Sequence, residues 1–211
     1  IQDYEIHPVD GRMYMAIGTF ILIMDAQSSP NVIDLFEIEN ADGNDYILDL
    51  EMDSANNRML ITTDQGYIHS IDLTDTSWNQ DLPAEPSGGE WSNTHIASNG
   101  DLFAFSNSGV FRLNTAGTGW TLEQASSTSN WPSGTPWKTF EHSGIIYVSL
   151  LDGGVGRWDV ASMSPLSPWS TANNLHSDFV SDFAVAGNQL LIASFNAGIA
   201  RRDLSSNFWL A

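Results

Sequence analysis

The sequence predicts an all-β chain built from five copies of one four-stranded unit. Three observations carry that expectation. First, a closing acid or amide recurs at Asp25, Asp72, Asn114, Asp159 and Asp203, at spacings of 47, 42, 45 and 44 residues. Second, Ser, Asn, Asp and Gly break the chain every few residues, and no stretch carries apolar residues at helical spacing. Third, middle segments such as "LLIAS" (190–194) and "IIYVS" (145–149) are apolar throughout instead of alternating. That pattern belongs to strands covered on both faces. Four short strands per period of about 44 residues, stacked sheet on sheet, make the blades of a β-propeller.

Each element of the unit has its own signature. The first strand is "DYEIH" (3–7), "YILDLEM" (46–52), "WSNTHIA" (91–97), "WKTFEH" (137–142) and "FVSDFAVA" (179–186). A turn follows it at Asp10-Gly11, Asn99-Gly100 and Gly187-Asn188. The second strand is the apolar run. Gly66, Gly109, Gly154 and Gly198 then sit five or six residues before the closing residue, where a turn between second and third strands needs positive φ. The fourth strand carries a Trp six residues past the closing residue in three copies, at Trp78, Trp120 and Trp209. The blades fall at 1–38, 46–82, 91–124, 137–170 and 180–211 of a single propeller domain. Five blades suffice to close a ring. The start at Ile1 and ends cut in phase with the repeat point instead to a segment of a larger propeller, truncated at both ends.

Bulk composition narrows function. The 211 residues carry 26 acids against 7 bases, a net charge of -19. Such a surface repels nucleic acid and anionic membranes, and suits solubility, cation binding or saline surroundings. There is no cysteine, hence no disulfide framework and no Cys-based zinc site. No apolar run is long enough to insert in a membrane. P-loop, Rossmann, Gly-x-Ser-x-Gly and His-Glu-x-x-His motifs are all missing.

The first strands hold the candidate site. Aligned by repeat, one column reads Asp3, Asp49, Asn93, Thr139 and Asp182, and two residues on another reads Glu5, Glu51, His95, Glu141 and Ala184. First strands line the shaft of a propeller, so two mostly acidic rings are expected there. Ca²⁺ or a cationic ligand group would offset their repulsion, since hard cations take several oxygen ligands. A water-filled polar shaft is the alternative. A second acidic feature, "ENADGND" (39–45), has the alternating oxygens of a short Ca²⁺ loop, with Asp42, Asn44 and Asp45 as ligands. It departs from the EF-hand in having no Glu at the twelfth position, and an Asp-Gly turn between blades explains it equally well. His7, His95 and His142 all fall late in first strands. Trp131 and Trp137 suggest a carbohydrate platform, yet the repeat aligns them with Leu175 and Val180, and Trp91 with Val180 too, as packing anchors. Arg112, Arg157 and Arg201 precede their closing residues by two, which predicts a ladder of ion pairs with them.

Residues 173–209, "NNLHSDFVSDFAVAGNQLLIASFNAGIARRDLSSNFW", resemble propeller repeats of the two-component-regulator type. They carry a Leu-x-Ser-x-x-Val lead-in, a Ser-to-Gly turn and an Arg-x-Asp close. Residues 131–159 resemble them more loosely, and 13–38 are closer to LVIVD-type repeats of surface propellers. The resemblance implies sensor regions or cell-surface modules. The expected function is therefore a non-catalytic, extracytoplasmic module that recognises or scaffolds a protein, small-molecule or carbohydrate ligand. A ligand-sensing region of a membrane two-component sensor is one alternative. A hydrolase or lyase using Glu5, Glu51, His95 and Glu141 for acid–base chemistry is another.

Overall fold

The computed structural model describes residues 2–25, 31–38 and 45–210, with backbone alone for Asn31 and for Trp78–Gln80. The chain is an all-β propeller of five four-stranded antiparallel blades. Blade 1 joins β1 (Asp3–Ile6), β2 (Arg12–Ile17), β3 (Phe20–Asp25) and β4 (Asn31–Glu37). Blade 2 joins β5 (Ile47–Asp53), β6 (Arg58–Thr63), β7 (Ile68–Asp72) and β8 (Trp78–Asp81). Blade 3 joins β9 (Trp91–Ile96), β10 (Leu102–Ser106), β11 (Gly109–Leu113) and β12 (Trp120–Ala125). Blade 4 joins β13 (Thr135–His142), β14 (Ile145–Leu151), β15 (Gly154–Asp159) and β16 (Ser164–Trp169). Blade 5 joins β17 (Val180–Ala186), β18 (Gln189–Ser194), β19 (Gly198–Asp203) and β20 (Trp209–Leu210). In every blade the strands pair in chain order. A single 3₁₀ turn, Thr171–Asn173, is the only helical segment among the described residues, and none is long and apolar enough to cross a membrane.

The chain packs as two compact units, residues 1–96 with 113–120, and residues 97–112 with 121–211. In the first unit, Tyr14, Ala16, Ile21 and Ile23 of blade 1 pack against Ile47, Leu50, Met59, Ile61 and Ile71 of blade 2. The second unit holds two cores. One gathers Phe103, Phe105 and Val110 with Ile146, Val148 and Trp158 around the indole of Trp131. The other gathers Tyr147, Val155 and Trp169 with Leu175, Val180, Leu190 and Ile192. Arg157 and Arg202 both lie over the Trp169 ring, at 4.3 and 4.4 Å from its centroid. Burial lowers the pKa of both guanidinium groups, and for Arg202 the charge of Arg157 adds to it. The predicted glycine column holds: Gly154, at φ 79°, turns β14 into β15 with its Cα against the Trp169 carbonyl, where no side chain fits.

Two details depart from the sequence reading. The first is a β-bulge early in the first strand, between Ile47 and Asp49, Pro136 and Lys138, and Val180 and Asp182. In blade 4 the bulged residue is Trp137, so Pro136 takes the buried place that Val180 fills in blade 5. Trp137 is expelled to 42% exposure, while Trp91 and Trp131 are anchors as expected. Counted from that shared bulge, Lys138, the only lysine in the chain, stands in register with Asp49 and Asp182, and Thr139 one place on.

The second concerns the closing residues, which serve turns, while Arg112 and Arg157 bond elsewhere. Asp72 accepts the Thr74 N–H, Asn114 that of Thr118, and Asp159 those of Ala161 and Ser162. Arg157 donates to the Ser167 carbonyl and Arg112 to Glu123. Asp203 accepts from the backbone of Ser205 and Ser206 and from both hydroxyls. These bonds, the Ser206 N–H first, hold its pKa down to about 2. A depressed carboxylate stabilises the fold fully above the ordinary aspartate range, near pH ~3.9, and loses that contribution as pH falls through its folded value. A carboxyl NMR titration is expected to place Asp203 near 2 in the wild type and clearly higher in the Ser205→Ala/Ser206→Ala variant. An ordinary wild-type midpoint would refute the capping role.

Candidate functional site

Four of the first-strand acids, Asp3, Asp49, Glu51 and Glu141, do something the sequence does not announce: they reach across to the neighbouring blade and accept its backbone N–H groups. In the first unit, Asp3 Oδ2 accepts the Leu50 N–H at 2.9 Å, and Asp49 Oδ2 the Thr94 N–H at 2.9 Å. Glu51 Oε1 accepts the Ile96 N–H at 2.8 Å, with its other oxygen 3.7 Å from His95 Nδ1. In the second unit, Glu141 Oε2 accepts the Ser98 N–H at 2.8 Å, and Asp182 Oδ1 accepts its own neighbour Phe183 N–H. First strands are unpaired along one edge, so their outward N–H groups need acceptors. A carboxylate on the adjoining blade meets that need with a charge-assisted bond.

Around the columns, Asn93 and Asp49 are buried, while Glu5, Glu51, His95, Thr139 and Glu141 are partly exposed. Among the described residues, no three His, Asp or Glu side chains gather as a metal-ion cluster. Of the loop candidates, Asp42 and Asn44 lie outside the described residues. Asp45 is buried, with Oδ2 3.8 Å from His69 Nε2, and His69 Nδ1 sits 2.7 Å from Asp81 Oδ1. That imidazole ties β7 to β8 through the Asp81 bond, with the Asp45 carboxylate beyond hydrogen-bond distance of its other nitrogen.

The candidate recognition surface lies elsewhere, on the loops between blades 4 and 5. A cleft of about 320 Å³ is lined by Asp152, His176, Ser177, Asp178, Phe179 and Asn196, among others. Its walls are tied down by backbone. Gly154 N–H bonds the Asp178 carbonyl, and Phe195 N–H the Phe179 carbonyl. Asp178 accepts both the N–H and the hydroxyl of Thr171 at 2.7 Å. Ser177 donates to Asn196 at 2.6 Å and accepts the Phe179 N–H. The serine of the Leu-x-Ser-x-x-Val lead-in therefore shapes the loop, between the buried Leu175 and Val180. Next to the cleft, exposed Phe195 meets the ring edge of Trp137 at 6.1 Å. His176 and Asp152 are exposed at the rim. The sequence marks this region only as a repeat boundary, because the cleft is assembled from three separate loops.

No protein-family model matches the chain, and no curated protein matches it.

Proposed function

We propose that the chain is a non-catalytic recognition module working outside the cytoplasm, which holds its ligand in the loop cleft between blades 4 and 5. The observation that carries this reading is the pairing of a rigidly tied polar cleft with exposed aromatic rings beside it. Clefts of this size with a few convergent polar groups suit a small ligand or a protein loop. The first-strand acids are occupied as backbone acceptors, which favours a structural task for them over acid–base chemistry. The excess of acids and the lone lysine support life outside the cytoplasm.

The test is saturation-transfer NMR against neutral oligosaccharides and short peptides, with and without Ca²⁺, followed by variants. Binding is expected to weaken at least tenfold in His176→Ala/Asn196→Ala and to survive Glu51→Gln and His95→Ala. Binding or turnover that depends on Glu51 and His95 instead would move the site to the first strands and revive the hydrolase or lyase alternative. A melting temperature raised by Ca²⁺ and not in Asp49→Asn/Glu51→Gln would assign a cation to the acidic columns.

A further inference from the structure

The loop that leads into blade 5 carries side chains that the same loop in blade 4 does without. The two loops align on the buried residues Trp131 and Leu175, then Pro136 and Val180. Both have a serine three residues before the second anchor, Ser133 and Ser177. Around it blade 4 has Pro132, Gly134 and Thr135, where blade 5 has His176, Asp178 and Phe179. At Gly134 a side chain has no room, since its Cβ would come within 2.7 Å of the Leu151 carbonyl oxygen. The loop path is therefore met without an imidazole, a carboxylate or a ring at these places, and in blade 5 they line the cleft.

Thr171 engages the Asp178 carboxylate, but other groups of the cleft remain open to a ligand. Among the described residues, neither the His176 imidazole nor the Asp152 carboxylate has a hydrogen-bond or ion-pair partner. Asn196 Oδ1 accepts the Ser177 hydroxyl, which leaves Nδ2 to donate. The cleft thus offers an acceptor, a donor and an imidazole able to act as either. Exposed rings stand beside them: Phe179 at 41%, Phe195 at 61% and Trp137, edge to face with Phe195, at 42%. All of these residues belong to the second compact unit.

That set of groups selects a ligand class. A cationic group only donates, so it satisfies Asp152 and leaves Asn196 Nδ2 without an acceptor. An anionic group faces the Asp152 and Asp178 carboxylates and a net charge of -19. A hydroxyl both donates and accepts, and neighbouring ring hydroxyls serve the two side chains together. The C–H face of a sugar ring also buries apolar surface on an aromatic side chain. We propose, resting on the cleft being the recognition site, that its ligand is an uncharged sugar. Asp152 accepts from the sugar hydroxyls, Asn196 donates to them, His176 bonds a further one, and the C–H face lies on Phe195 and Trp137. The bulge that expels Trp137 from the core supplies that second ring.

Isothermal titration calorimetry tests this with neutral gluco-, galacto- and manno-oligosaccharides, their uronate counterparts and a set of short peptides. The variants are Asp152→Asn, which suits the φ of 64° at that residue, Trp137→Ala, and His176→Ala/Asn196→Ala, all at exposed positions. Circular dichroism melts confirm that they remain folded. A neutral oligosaccharide is expected to bind the wild type and to weaken about tenfold or more in each variant. Its uronate counterpart is expected to bind the wild type no better than the neutral sugar binds the variants. Oligosaccharide binding that all the variants leave intact would remove the sugar and the cleft together. A peptide that binds instead, and is lost in His176→Ala/Asn196→Ala, would overturn the sugar and keep the cleft. A uronate bound as tightly as the neutral sugar, or no sugar bound at all, would also overturn the proposal.

Discussion

Trp131→Ala is expected to destabilise the protein by about 3–5 kcal/mol, the range for emptying a large aromatic site in a core. Trp131 is 1% exposed and stacks on Phe105 at 6.5 Å, with the planes 13° apart. On its other side is Gly156, where a Cβ would come within 2.9 Å of the indole ring. Blade 5 solves the same position with different volumes: Leu175 is the anchor and Ala200 stands where Gly156 does, both buried in one core. A large anchor over a glycine floor and a smaller anchor over an alanine floor are two solutions of one packing problem. Gly156→Ala alone is therefore expected to cost about 1–3 kcal/mol by overpacking, less the few tenths gained from stiffening the unfolded chain. The double variant Trp131→Leu/Gly156→Ala copies the blade 5 pair. It should be more stable than the sum of its single changes predicts, by at least about 1 kcal/mol. Urea unfolding of the four proteins measures the cycle, and additive effects would show that the two sites do not share a packing constraint.

That pair also shows which parts of the molecule can be read from the sequence. The period of the closing residues and the apolar middle strands locate all five blades, because both follow from sheets covered on two faces. Trp131 and Trp91 are recognisable as anchors because the repeat supplies their counterparts. Trp137 is not, because it is the bulged residue and the buried counterpart of Val180 is Pro136, one place earlier, and a bulge leaves no mark on an alternating pattern. Lys138 takes the place of Asp49 and Asp182 because it follows that shared bulge directly. The acids themselves are legible as columns, but their partners are N–H groups about one period away, which carry no residue-type signal. The cleft is the least legible feature. Asp152, His176 and Asn196 come from three loops, and only the turn geometry brings them to one rim.

The acidic columns give the second large effect. Asp49 is 4% exposed and its Oδ2 accepts both the N–H and, at 3.4 Å, the hydroxyl of the fully buried Thr94. Asp49→Ala removes a charged acceptor and strands that N–H in the interior, a combined cost of about 3 kcal/mol. For a chain of this size that lowers Tm by roughly 6–12 °C. Asp49→Asn keeps an oxygen at the same place and loses only the charge, so about 1 kcal/mol is expected. Thermal melts of the two variants separate the possible tasks of the column. If Asp49 is there to accept an N–H, alanine is far worse than asparagine, and the gap between them does not change with Ca²⁺. If Asp49 is there for its negative charge, asparagine falls as far as alanine, and both lose whatever stability a cation gives the wild type. The first outcome makes the recurrence of Asp3, Asp49 and Glu51 a requirement of joining one blade edge to the next. The chain would then have kept acids in its first strands for assembly, leaving its loops free to carry recognition.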